Sequence, residues 1–176
     1  MNITAGIFKG RKIIAPDEKI TRPTLSKVRM SVFNTLQAMM DFEGKTFLDM
    51  YAGSGIMGLE ALSRGFGYAL AFEKHPKAAQ IIKNNFQKFT PHPKLQIGDA
   101  IKLAQKIEKP FDVIYIDPPY FAGIYEASLD AIKNIAQNII ILEHVNEVDF
   151  KEFEILKQKK YGDKYITFLL NIKYCK

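Results

Sequence analysis

The chain has no tryptophan, and its single cysteine, Cys175, lies beside the C-terminus. One cysteine excludes a disulfide framework and a thiolate metal cluster. The three histidines, His75, His92 and His144, are scattered without metal-ligand spacing, so no metal site is expected. No apolar run nears the ~20 residues that a membrane-spanning helix requires. The N-terminus runs from Met1 to Phe8 and then meets Lys9, Arg11 and Lys12, so it lacks the apolar centre of a signal peptide. These absences predict a reducing, cytoplasmic setting. Repeats and low-complexity linkers are missing too. At 176 residues the chain is most simply one domain, with 1–44 as an N-terminal extension and helix and 45–176 as the main body, and a monomer is expected.

Acidic residues are scarce at the start. Residues 1–30 hold Lys9, Arg11, Lys12, Lys19, Arg22, Lys27 and Arg29 against Asp17 and Glu18, a net of +5 out of +6 for the whole chain. A basic block on a near-neutral body is the footprint of a polyanion partner.

The first fifteen residues suit a short hairpin broken by Gly6 and Gly10, followed by a charged loop to Pro23. Leu25, Val28, Val32, Phe33 and Leu36 recur at helical spacing, with Thr24 as a candidate N-cap and Gly44 as the stop. Beyond Gly44, strands and helices alternate. Strands are expected over Thr46–Met50, Ala69–Phe72, Leu95–Ile97, Val113–Ile116 and Asn138–Leu142. Helices are expected over Gly55–Arg64, Pro76–Phe89, Ile101–Ile107 and Glu126–Ala136. This alternation predicts an α/β fold: a mostly parallel sheet with helices on both faces. Phe153–Lys159 and Tyr165–Ile172 flank the turn residues Tyr161-Gly162-Asp163, so an antiparallel hairpin should close a seven-stranded sheet.

Chemistry concentrates at the strand ends. The Val113–Ile116 strand delivers Asp117-Pro118-Pro119-Tyr120 to its carboxyl end, where open α/β sheets build ligand crevices. A carboxylate, a nearby backbone carbonyl and a stacking ring suit a flat molecule with an exocyclic amino group. The first strand enters Asp49-Met50-Tyr51-Ala52-Gly53-Ser54-Gly55-Ile56-Met57-Gly58, a glycine loop feeding a helix N-terminus. Its spacing also satisfies the dinucleotide fingerprint, which keeps NAD(P) open. Glu73 ends the second strand, where a carboxylate can bridge ribose hydroxyls of either cofactor. Two residues separate the alternatives. Asp49 would repel a pyrophosphate and welcome an ammonium or sulfonium. Asp99, followed by Ala100, ends the third strand and is placed to accept from an adenine amino group. Asp49, Glu73, Asp99 and Asp117 therefore end four consecutive strands, which points to S-adenosyl-L-methionine.

The order of these motifs resembles the amino-directed class of Rossmann-like methyltransferases. More narrowly, the chain resembles the RsmD family of 16S rRNA guanine-N2 methyltransferases. The resemblance is carried by Arg11-Lys12, by Arg22-Pro23-Thr24 with Val28-Arg29 and Val32-Phe33-Asn34, by the Asp49–Gly55 loop with Gly58–Gly65, and by Phe72-Glu73 and Asp117–Tyr120. Met30 departs from it, since the family commonly has Glu after the arginine. The resemblance implies methylation of the N2 of a specific guanine in 16S rRNA, within a small-subunit particle or assembly intermediate. It places Asp117, Pro118, Pro119 and Tyr120 in catalysis. Asp49, Tyr51, Gly53, Gly55, Glu73, Lys74, Asp99 and Ala100 would hold the cofactor. Lys9, Arg11, Lys12, Arg22, Thr24, Lys27 and Arg29 would contact RNA. A DNA adenine-N6 methyltransferase would use the same tetrapeptide but needs a target-recognition insert, for which the chain has no room. A non-enzymatic RNA-binding module would need neither the glycine loop nor Glu73.

Overall fold

The computed structural model describes residues 1–17, 25–119, 123–150 and 152–174. The alternation becomes α1 (Ser26–Met39), β1 (Thr46–Asp49), α2 (Ile56–Ser63), β2 (Tyr68–Glu73), α3 (Pro76–Phe86), β3 (Lys94–Ile97), α4 (Ala100–Ala104), β4 (Phe111–Ile116), α5 (Ile124–Ile132) and β5 (Ala136–His144). The hairpin β6 (Phe153–Tyr161) and β7 (Lys164–Asn171) follows. The strands form one sheet in the order β3-β2-β1-β4-β5-β7-β6. β1 to β5 are parallel, and β7 inserts antiparallel between β5 and β6.

Central strands of such a sheet are covered on both faces and so read as continuous apolar runs. Phe47 and Leu48 of β1, and Val113, Ile114 and Ile116 of β4, are fully buried. One face packs Phe33, Phe42, Phe47 and Phe66 with Ile139 and Phe168. The other packs Leu48, Ile114, Leu129, Ile132 and Ile140. The strand order reverses between β1 and β4, which are direct neighbours with Asp49 opposite Tyr115. That reversal is the switch point where open sheets of this kind bind ligands.

Helix boundaries differ from the expectation: α3 ends at Phe86 rather than Phe89, α4 spans Ala100–Ala104 rather than Ile101–Ile107, and α1 and α5 are placed differently. α1 starts at Ser26 with Leu25 as its uncapped N-terminal neighbour, and Thr24 lies outside the described residues. α5 runs from Ile124 to Ile132 rather than from Glu126 to Ala136. Gly123, at φ +75°, starts it early, and Ala136 belongs to β5, paired with Phe111.

The N-terminal extension is part of the core. Asn2 bridges Lys12, the Ile3 N–H donates to the Arg11 carbonyl at 3.0 Å, and Ile3, Phe8 and Ile13 are buried. Its anchors lie on α2 and α3. The Ile7 N–H donates to the Ser63 carbonyl (2.8 Å) and the Phe8 N–H to Ser63 Oγ (2.9 Å). Asn85 clamps Ile14 on both sides, accepting its N–H at 3.0 Å and donating to its carbonyl at 2.7 Å. Gly6 sits at φ +78°, and a Cβ there would fall 1.7 Å from the Ser63 carbonyl oxygen, so only glycine permits this close docking.

Candidate active site

The carboxyl ends of β1, β2 and β4 and the loop before α4 open into one pocket of about 510 Å³. Of the residues that the sequence assigned to cofactor and catalysis, Asp49, Tyr51, Gly53, Glu73, Lys74, Asp99, Ala100, Asp117, Pro118 and Pro119 all line it. Tyr120 lies outside the described residues. Gly55 sits just behind the lining, at φ +78° and as N-cap of α2. A Cβ at Gly55 would come within 2.7 Å of the Phe86 ring, so glycine lets the loop and α3 pack together.

Each carboxylate has a distinct environment. Asp49 is 1% exposed, and among the described residues its side-chain oxygens meet no well-formed hydrogen bond, only a weak approach of the Tyr51 backbone. Burial pushes its carboxyl up to about 8, with Asp117, Glu73 and Glu143 adding like-charge repulsion and the Tyr51 backbone only partly offsetting it. Glu73 accepts from the Gly53 N–H at 2.9 Å and from the His75 N–H at 2.7 Å, which fixes the glycine loop against the end of β2. A carboxylate has about four lone-pair sites, so Glu73 keeps acceptor capacity toward the pocket. Asp99 caps α4 by accepting from the Lys102 N–H at 3.2 Å, and Lys74 pairs with it at 3.5 Å at the rim. The Lys102 backbone bond first, then Lys74, hold the Asp99 carboxyl below its usual value. Tyr51 bonds through its hydroxyl to Ser128 of α5 at 2.7 Å, and Ser128 in turn donates to the Ile124 carbonyl.

Three further residues escaped the sequence reading: Tyr115, Glu143 and Lys164. Lys164 Nζ stands 3.6 Å from Asp117 Oδ1 and 3.2 Å from Glu143 Oε2, and the Tyr115 hydroxyl donates to Glu143 Oε1. Glu143 was within reach of the same signal as the others, because it is the acid near the end of a fifth consecutive parallel strand. Lys164 gives no such signal, since only the antiparallel return of β7 brings it to the pocket.

The basic residues divide. Lys9, Arg11, Lys12 and Lys27 are exposed. Arg11 also stacks its guanidinium 4.1 Å from the Phe89 ring centroid and donates to the Lys88 carbonyl. Arg22 and Thr24 lie outside the described residues. Arg29 corrects the expectation of an RNA contact. It is 2% exposed, ion-paired to buried Glu60 at 3.4 Å and donating to the Asn2 carbonyl at 2.8 Å, so it clamps the extension instead. Met30 is exposed, so the acid that meets this basic region in the described residues is Glu60 on α2.

The lining thus sets four carboxyl groups, Asp49, Glu73, Asp99 and Asp117, against two lysines, Lys74 and Lys164, with the Asp49 carboxyl buried in its wall. That donor set fits a cofactor carrying an ammonium and a sulfonium and opposes a pyrophosphate. The profile of a family described as Conserved hypothetical protein 95 matches residues 1–170. Ribosomal RNA small subunit methyltransferase D of Escherichia coli K12 is 30% identical over 135 residues, covering 76% of this chain and 67% of the relative. YlbH of Bacillus subtilis, named provisionally for rRNA methylation, is 36% identical over 161 residues, 86% of each chain. The chain belongs to the RsmD family. Members of this family are methyltransferases, and the fold agrees. The solved structure of yhhF from Escherichia coli, provisionally named a methyltransferase, superposes with a TM-score of 0.86 at 23% identity over 97% of both chains. A magnesium protoporphyrin IX methyltransferase of Synechocystis, solved with bound S-adenosylmethionine, shares the fold at a TM-score of 0.65 and 14% identity, over 82% of this chain and 77% of that one. The present chain is a methyltransferase whose cofactor is S-adenosyl-L-methionine. No helix among its described residues is long and apolar enough to cross a membrane.

Proposed function

We propose that the protein methylates the exocyclic N2 amino group of a guanine in 16S ribosomal RNA, in the context of a small-subunit particle. The observation that carries this reading is the placement of Asp117-Pro118-Pro119 at the end of β4, in the same pocket as the acidic ends of β1, β2 and β3. Relatives named for methylation of small-subunit rRNA support the choice of RNA.

When bound, S-adenosylmethionine supplies an electrophilic methyl group on a positively charged sulfur. Asp49 would face its ammonium, Glu73 its ribose hydroxyls, and Asp99 with Ala100 its adenine, while Tyr51, Gly53 and Lys74 complete the walls and Gly55 shapes the loop behind them. The guanine amino nitrogen is a weak nucleophile because its lone pair is delocalised into the ring. Asp117 and the Pro118 carbonyl would accept its two hydrogens, favouring a more tetrahedral nitrogen, and Tyr120 would stack on the base. The nitrogen–carbon bond forms as the carbon–sulfur bond breaks, and the methylated amine then loses one proton. Orientation of this kind is worth about 7–11 kcal/mol in favourable cases. The target base must first leave its stack, at a cost of a few kcal/mol.

The test maps N2-methylguanine in ribosomal RNA from cells with and without the protein, and follows labelled methyl transfer to small-subunit particles. Loss of one N2-methylguanine on deletion is expected. An unchanged map, or label on adenine N6 of DNA instead, would sink the reading.

Asp49 gives the cofactor site a pH signature. Its carboxyl, raised from 3.8 to about 8, is mostly neutral at pH 7 in the free protein. A cationic ligand needs the ionised form, so binding should release a proton, and affinity should rise by up to about tenfold per pH unit below pH 8. An α-ammonium itself titrates near ~7.7–8.0, so affinity should peak close to pH 8. Linkage runs the other way for the free protein. Because the folded state holds the extra proton, its stability should fall as pH rises from 3.8 to about 8 and level off above. Calorimetry in buffers of different ionisation enthalpy reads the released proton, and Asp49→Asn should abolish that release, the rise of affinity below pH 8 and this residue's contribution to the stability profile.

Lys9, Lys12 and Lys27 would meet RNA phosphates. Deleting residues 1–22 would strip Ile3, Phe8 and Ile13 from the core, so charge reversal is the cleaner probe. Lys9→Glu with Lys12→Glu should weaken RNA binding and lower its salt slope by about 0.9 for each phosphate no longer neutralised. Cofactor affinity should stay at the wild-type value. A wild-type salt slope would remove the extension from the RNA interface.

A further inference from the structure

We propose that Lys164 is a positioning residue for methyl transfer: seated on buried Glu143, its ammonium holds the Asp117 carboxylate in its charged form and in one orientation. The proposal rests on the reading of Asp117 as acceptor of the target amino group.

The groups facing Asp117 come from four strands. Among the described residues they include Asp49 on β1, Tyr115 on its own strand β4, Glu143 on β5 and Lys164 on β7. Apart from Lys164 these are carboxyl groups and a phenol, each of which works against the charged form of a neighbouring carboxylate. A protonated carboxyl would present an O–H to an amino group that itself donates, where an acceptor is required. Lys164, 3.6 Å from Asp117 Oδ1, is an opposite charge that favours the ionised form.

A lysine on a flexible stem holds a partner poorly by itself, since fixing its rotamers costs entropy. Here the ammonium has a second contact, 3.2 Å to Glu143 Oε2. Glu143 is 1% exposed, and its other oxygen accepts the hydroxyl of Tyr115, itself 1% exposed. The Tyr115–Glu143 pair is thus a fixed base on which the ammonium stands. Lys164 is also on the pocket lining, so it touches the same cavity that would receive the base. Lys164 approaches Asp117 through Oδ1, so the orientation it imposes sets which lone pairs of the carboxylate turn toward the amino hydrogen.

Three variants test this: Lys164→Met, Lys164→Arg, and Lys164→Met with Glu143→Gln, the last avoiding a buried unpaired Glu143. The first readout is the titration of Asp117 by carboxyl carbon NMR in the cofactor-free protein, which requires no substrate. In Lys164→Met the midpoint should rise by about 1–3 pH units, the range for removal of an opposite charge at this distance. The second readout is single-turnover methyl transfer to small-subunit particles against pH. Its acidic limb should move up by the same amount, with cofactor affinity retained. Lys164→Arg should restore most of both, and the double variant should keep the raised midpoint. An Asp117 midpoint unmoved in both Met variants overturns the proposal. If the wild-type protein transfers no methyl to ribosomal RNA, the guanine-N2 reading falls, and the Asp117 titration alone decides the role of Lys164.

Discussion

Asp117→Ala is expected to lower single-turnover methyl transfer on the order of 10²–10³-fold, the range seen when one preorganised group facing developing charge is removed. The alanine keeps the backbone of the tetrapeptide and its two prolines, so the Pro118 carbonyl still accepts one amino hydrogen. What disappears is the acceptor for the other hydrogen and the negative charge beside the amine as it becomes cationic. Asp117→Asn separates these two contributions. Its amide oxygen still accepts, so the part of the loss that Asn recovers measures geometry and the remainder measures charge. Cofactor affinity should weaken only modestly in either variant, because Asp49, Glu73 and Asp99 remain. Near-full turnover in Asp117→Ala with normal cofactor binding would refute the role.

Glu60→Ala is the corresponding prediction for stability. Glu60 is fully buried on α2 and accepts from the Thr4 N–H at 2.8 Å and the Thr4 hydroxyl at 3.0 Å. It also pairs with Arg29 at 3.4 Å and with Arg64 at 3.3 Å. Truncating it strands two largely buried guanidiniums, and breaking such a pair from one side costs about 3–5 kcal/mol. For a chain of this size that corresponds to a fall in Tm of roughly 6–20 °C. Burial already lowers Arg29 below its usual value despite the help of Glu60, so the stranded arginine is under real electrostatic penalty. Glu60→Gln keeps the acceptor for Thr4 and should lose less. Hydrogen exchange should show the protection of Ile3, Gly10 and Ile13 disappearing first, because their bonds close the extension. A Tm within about 2 °C of wild type would mean that the clamp contributes little.

The sheet was legible because its signal is local. Val113–Ile116 is an unbroken apolar run, and the acids sit at or within two residues of a strand end: Asp49 and Glu73 close their strands, Asp117 follows β4 directly and Asp99 follows β3 by two residues. Such residues report their position without knowledge of the partner strand. The extension was misread for the opposite reason. Arg29 is a basic residue in a basic segment, and only the tertiary contact with Glu60, 31 positions later, makes it a buried clamp. Charge counts treat every arginine as solvated, so they cannot separate Arg29 from exposed Lys27 on the same helix. Lys164 was invisible on similar grounds, since its partner Glu143 is 21 positions away and reached through an antiparallel return. Local pattern thus located the cofactor wall, whereas the parts of the site built from distant pairs required the fold.

The insertion of β7 between β5 and β6 has a consequence for the order in which the protein is made. The ribosome releases the parallel strands first, at roughly 5–20 residues per second. The edge of β5 then stays open until β7, the last strand among the described residues, arrives to pair with it. Lys164 enters with that strand, so the pocket is completed only at the final step of assembly. A nascent chain carrying the glycine loop and the Asp117 tetrapeptide is therefore still an unfinished enzyme.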